Sequence, residues 1–205
     1  MKFKNLCTVF GLVSLLAACS SEKSETIENT NQNATEKAEK TPDPKVIEAE
    51  QYILAPGRAG QIPIGISSDS LKQMVPAENL KTTERELEGQ KYTAYEIRNA
   101  KAGNQLLMLA EESCEKDSCK IFRLRIISPK FKTKEGIRVG STFGEVQKTY
   151  PLSFIGLGET DFVAVSDKQK MTFTLDIAKF PPKPLYKIKA EDIPDSTLVT
   201  SIMLY

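Results

Sequence analysis

The chain is 205 residues long, with 28 Lys and Arg against 27 Asp and Glu, no histidine, no tryptophan and four cysteines. Near-neutral charge offers no broad basic field to nucleic acid or anionic lipid, so no nucleic-acid partner is expected. The lack of histidine removes the commonest general base, the commonest metal ligand and the usual partner of a Ser or Cys nucleophile, so the chain leans away from an enzyme and no cofactor or metal is expected.

Lys2 and Lys4 precede an uncharged apolar run from Leu6 to Ala18. Such a run is about 13 residues, or roughly 20 Å as a helix, against a hydrocarbon core of roughly 30 Å. It is too short to span comfortably and a polar stretch follows at once, which marks residues 1–18 as a signal peptide. Its end, Leu16-Ala17-Ala18-Cys19, resembles the lipobox of bacterial lipoproteins. That resemblance implies cleavage before Cys19, a diacylglycerol thioether on its sulfur and an acylated amine (palmitate or a similar chain). Several acyl chains together anchor firmly, because each buried CH2 contributes about 0.8 kcal/mol. Ser20 rather than Asp follows the cysteine, which resembles the pattern of lipoproteins sent to the outer membrane, facing the periplasm.

Residues 19–47 carry the lipidated Cys and a tether. Ser20 to Lys45 is rich in Ser, Thr, Asn, Glu and Lys, with Ile27 its only large apolar residue, and Pro42 and Pro44 close it. It cannot bury enough surface to offset its ordering entropy. A flexible chain of that length reaches roughly 25–30 Å, enough to let a domain float near a membrane. Loss of residues 1–18 removes two lysines and no acids, leaving 26 basic against 27 acidic residues and a net charge of −1.

From about residue 48 to 205 the pattern is that of one α+β domain: mostly antiparallel β-sheet with two short helices. Two windows, Ile62–Pro76 and Ile137–Pro151, share Ile62/Ile137, Gly65/Gly140 and Pro76/Pro151, with Ile64/Val139, Ser67/Thr142 and Leu71/Val146 similar. Each reads as a short strand, a Gly, a Ser or Thr cap, one or two helical turns and a Pro stop. Strand-like runs follow at Lys91–Arg98, Gln105–Ala110 and Lys120–Ser128, and again at Asp161–Ser166, Met171–Ile177 and Leu198–Tyr205. The order reads as two tandem β-α-β-β-β repeats, about 60–130 and 135–205, against the alternative of two independent βα starts. The module resembles the small duplicated α/β repeats of envelope lipoproteins and β-lactamase-inhibitor-type proteins. Thr82–Gly89 reads as an exposed strand or a helical turn, Gly156-Leu157-Gly158 as a turn or bulge, and the proline-rich Ala178–Pro194 as a surface excursion.

Cys114 and Cys119 flank a short loop between two strand-like runs. An oxidising envelope predicts a disulfide there. Alternation in Phe122–Ile126 predicts Arg123 and Arg125 on one strand face, with Phe122, Leu124 and Ile126 on the other. Two arginines on one face offer a binding face for a carboxylate or phosphate, or else form the wet side of a half-buried sheet. Glu111, Glu112 and Asp69 have no partner that spacing reveals. The expected function is a non-enzymatic envelope lipoprotein that reaches a protein or envelope polymer from its membrane anchor. The alternatives are a carboxylate-dependent enzyme acting on envelope material, or a small-ligand carrier.

Overall fold

Alternation drives the strands. In Met171–Leu175 (β11), Met171, Phe173 and Leu175 are buried on one face while Thr172 and Thr174 line the other, the period of two that a pleated backbone imposes. A computed structural model describes residues 50–205 apart from 88 and 117. The expected signal peptide, Cys19 and the expected tether lie outside the described residues, as does Glu88. No helix among the described residues is long and apolar enough to cross a membrane.

Three short strands come first, β1 (Ile53–Ala55), β2 (Arg58–Ala59) and β3 (Ile62–Pro63). They lead to helix α1 (Ser68–Met74) and a meander of β4 (Leu80–Leu87), β5 (Gln90–Asn99), β6 (Gln105–Glu115) and β7 (Ser118–Ile126). The second half begins with β8 (Lys132–Thr133) and helix α2 (Phe143–Thr149). It continues through β9 (Phe154–Leu157), β10 (Phe162–Ser166), β11 and β12 (Val199–Leu204). The main sheet has eight strands in the order β4-β5-β6-β7-β12-β11-β10-β9, all antiparallel. The two meanders therefore meet at their last strands. A four-stranded sheet, β3-β2-β1-β8, holds a single parallel pairing between β1 and β8.

The fold is thus α+β and dominated by antiparallel sheet. Each half is a helix followed by four strands, one more than the expected three. The additional strands are β4 and β9. The first forms where an exposed strand or a helical turn was open, and the second absorbs Gly156 and Leu157 in place of a turn. In the second half the leading stretch around Val139 makes only an isolated bridge, Lys132 to Arg138.

Both halves are wired alike around their helices. Ser67 and Thr142 cap α1 and α2 by accepting from the backbone N–H of Ser70 and Glu145. Thr142 adds a full capping box with the Glu145 carboxylate. Gly65 and Gly140 stand just before these caps at φ +86° and +92°, a region closed to most side chains. That bend lets Gly65 N–H donate to Ile121 O at 2.7 Å and Gly140 N–H donate to Val199 O at 2.8 Å. Each helix start is thereby stitched to the last strand of its own half.

One core lies between the main sheet and the helices. Leu71 of α1, Phe143 and Val146 of α2, and Ile121, Leu124, Phe173, Ile202 and Leu204 of the sheet are almost wholly buried in a single cluster. Burying a side chain of this size contributes about 1.5–3 kcal/mol. The segment 178–194 is not only a surface excursion. Three single 3-10 turns let it drop Ile188 and Ile193 into that core, because Pro-rich chain supplies fixed bends without needing sheet partners.

Candidate functional site

The face of the main sheet turned away from the helices carries a charge cluster at its middle. Its origin is a bulge. Cys114 pairs with Cys119, Ser113 with Lys120 and Glu112 with Ile121, but the register then shifts so that Glu111 faces Arg123. Phe122 is the residue left over. Instead of pointing inward with Leu124 and Ile126 as alternation predicts, it is 40 % exposed, with the Arg123 guanidinium 5.0 Å from its ring centre. A bulge adds one residue to one strand and so resets which residues share a face. The Arg123 and Arg125 pair does share the outer face, as expected.

Neither arginine is a bare cation. Arg123, whose side chain is 7 % exposed, is ion-paired through Nε to Glu111 Oε2 and reaches Glu159 Oε2 through Nη1 at 2.9 Å. Burial opposes the charge on Arg123, but bonds to Glu111, Glu159 and Tyr92 outweigh it and hold the group further above its ordinary range. Arg125 Nη1 reaches Asp161 Oδ2 at 3.4 Å. Its Nε stands 4.0 Å from Glu111 Oε1, and these two buried atoms have no hydrogen-bond partner among the described residues. Glu159 and Asp161 come from the turn between β9 and β10, which Gly158 N–H closes by donating to Asp161 O. Strands β11 and β12 lie between β10 and β7 in the sheet, so this loop crosses the outer face to reach the arginines. Clefts flank it on both sides. One of about 320 Å³ has Tyr92, Phe122 and Arg123 in its wall, and one of about 180 Å³ has Arg125, Asp161, Val163, Thr172 and Met203. Phe154 edges the second cleft, its ring lying over Gly156, where a Cβ would come within 2.8 Å of it.

The other acids without evident partners also find them. Glu112, next to Glu111 in sequence, points to the helix side of the sheet. There Ser68 Oγ donates to Oε1 and the Tyr95 hydroxyl donates to Oε2 at 3.2 Å. Asp69 pairs along α1 with Lys72. The Cys114–Cys119 disulfide is formed at the tip of the β6–β7 hairpin. Glu112 lies close to both sulfurs, but a disulfide sulfur is not a thiolate, so this trio lacks the donors a metal site needs.

No protein-family model and no curated protein matches the chain. Among solved structures, the uncharacterized protein yfeY from Escherichia coli is similar, with a TM-score of 0.53 at 12 % identity, over 74 % of this chain and 98 % of that one. At that identity the likeness speaks for the fold alone. Glu111, Glu159, Asp161 and Tyr92 are members of the cluster that the sequence did not reveal. The one available signal was the Cys114–Cys119 pair, which sets the hairpin register as far as Glu112.

Proposed function

We propose that this protein is a lipid-anchored envelope protein, held at Cys19 on the outer membrane and facing the periplasm, that binds an envelope protein or polymer on the outer face of its eight-stranded sheet. The observation that carries this reading is the charge cluster of Glu111, Arg123 and Arg125 at the middle of that face, with two buried polar atoms left without hydrogen bonds among the described residues. Burying an ion pair costs desolvation energy that its attraction often fails to recover, and each orphaned buried polar atom costs a further ~1–3 kcal/mol. Such an arrangement is poor design for stability alone and good design for recognising a charged partner. The lipobox supports the anchor, and the tether supports reach towards a partner.

The test is a photo-crosslinking side chain placed in cells at Phe154, beside the cluster, and at Lys148 on α2, both with and without Cys19→Ala. The expected result is a discrete adduct from Phe154 that is absent from Lys148 and lost in the unanchored variant, with palmitate label entering only the form that keeps Cys19. Equal adducts from both positions, or none from Phe154 in a correctly lipidated protein, would overturn the reading.

A further inference from the structure

The β9–β10 loop, Gly158-Glu159-Thr160-Asp161, places its two carboxylates on the two arginines that are central to the proposed binding face. We propose that this loop is a built-in occupant of a binding site for acidic peptide, and that a partner segment with carboxylates at alternate positions displaces it. The proposal deepens the outer-face reading above and rests on it.

Spacing is the first argument. Arg123 and Arg125 are two apart on one strand, so their side chains leave the same face roughly 6–7 Å apart along it. Glu159 and Asp161 are two apart as well, and each meets one arginine. The loop therefore displays the ligand that the site fits: acid, any residue, acid.

Charge gives the second. With the loop in place, Glu111, Glu159 and Asp161 face Arg123 and Arg125. Lift the loop, and one buried carboxylate faces two guanidinium groups, leaving one positive charge for a ligand to neutralise. Glu111 cannot leave, since its side chain is 1 % exposed on the middle of a strand, whereas Glu159 and Asp161 are 52 % and 41 % exposed at a turn. The exposed partners are the replaceable ones.

Geometry gives the third. The loop satisfies the site incompletely. Asp161 meets Arg125 through Nη1 alone, and the Arg125 Nε proton has no acceptor among the described residues. A carboxylate approaching Arg125 side-on takes Nε and an Nη together, the bidentate arrangement that guanidinium favours. A ligand able to do this outcompetes the loop at a cost of two partly exposed ion pairs, which are weak individually.

The experiment uses the full chain held in detergent, and a fluorescent peptide carrying the loop's own sequence, Gly-Glu-Thr-Asp-Phe, alongside its Gly-Gln-Thr-Asn-Phe analogue. Binding is read by anisotropy for the natural protein, for Glu159→Gln with Asp161→Asn, and for that double variant with Arg125→Gln added. The expected result is acidic-peptide binding about 10-fold tighter in the double variant than in the natural protein, the factor set by two partly exposed ion pairs. Added Arg125→Gln abolishes it, the amide peptide does not bind, and salt weakens it. Equal binding by the natural and double-variant proteins overturns the proposal, as does equal binding of acidic and amide peptides. Inorganic phosphate that occupies the double variant as tightly as the peptide also overturns it. Urea unfolding of each variant confirms that it is folded. An adduct from Phe154 in cells together with no peptide binding would sink this inference and leave the outer-face reading intact.

Discussion

Replacing Glu111 by Ala leaves the Arg123 guanidinium, only 7 % exposed, with Glu159 as its remaining carboxylate at the rim. Removing one partner of a buried pair typically costs 3–5 kcal/mol, and the half-exposed Glu159 retains part of the compensation, so about 3 kcal/mol is expected. Arg123→Ala strands Glu111, whose nearest other cation is Arg125 Nε at 4.0 Å without a hydrogen bond, and a loss of about 3–4 kcal/mol is expected. The double replacement Glu111→Leu with Arg123→Met removes both charges and keeps most of the volume. It is expected to lie within about 1 kcal/mol of the natural protein, or above it. Urea unfolding followed by circular dichroism under oxidising conditions measures all three, with an unchanged denaturant slope certifying that the midpoints report stability. A double replacement that loses as much as either single one would refute the reasoning, because the pair would then be a net stabiliser and its presence would need no partner to explain it.

Tyr150 donates its hydroxyl hydrogen to Glu135 and its oxygen accepts from the Thr133 hydroxyl, and burial, with Glu135 next, moves its pKa from 10.0 to about 12. The folded value lies above the unfolded one, so the contribution is fully present below about pH 10 and is lost as pH rises towards 12, about 2–3 kcal/mol in all. Tyr150→Phe should lack that alkaline loss, read as the difference between the two proteins' urea midpoints across the range; parallel profiles would refute it. Cys114→Ser with Cys119→Ser should lower stability by about 2 kcal/mol, since the bond closes only a short hairpin loop, and reductant should do the same to the natural protein. A loss beyond about 4 kcal/mol would show that the disulfide holds more than its hairpin. Ser67→Ala and Thr142→Ala should each cost about 1 kcal/mol by thermal or urea unfolding, Thr142→Ala the more because its capping box is complete. No effect at either would deny those hydroxyls their capping role.

Local rules make much of this domain legible in its sequence. Period-two alternation located six of the eight main-sheet strands, and the Gly, Ser or Thr, Pro spacing located both helices, because these patterns depend on backbone geometry within a few residues. The other two, β4 read as a strand or a helical turn and β9 read as a turn or bulge, had local reasons to be harder to read. β9 is four residues long and contains Gly156, and β4 is an edge strand whose Glu84, Arg85 and Glu86 are all exposed. Ile188 and Ile193 escaped because irregular chain carries no period from which burial can be read.

The charge cluster was only half visible. Strand alternation alone puts Arg123 and Arg125 on a common face, so the pair could be named from the sequence. Its partners could not. Counting inwards from Cys114–Cys119 sets Glu111 opposite Phe122, and only the bulge moves it opposite Arg123. A bulge is chosen by what the whole sheet must bury, in this case Ile121 and Leu124 on the helix side, and no single strand records that demand. Glu159 and Asp161 lie 36 residues from the arginines they meet, and what brings them there is the joining of the two meanders at β7 and β12. Which charges stand on one face is written in the strand; which charges meet is decided by how strands from both halves share one sheet.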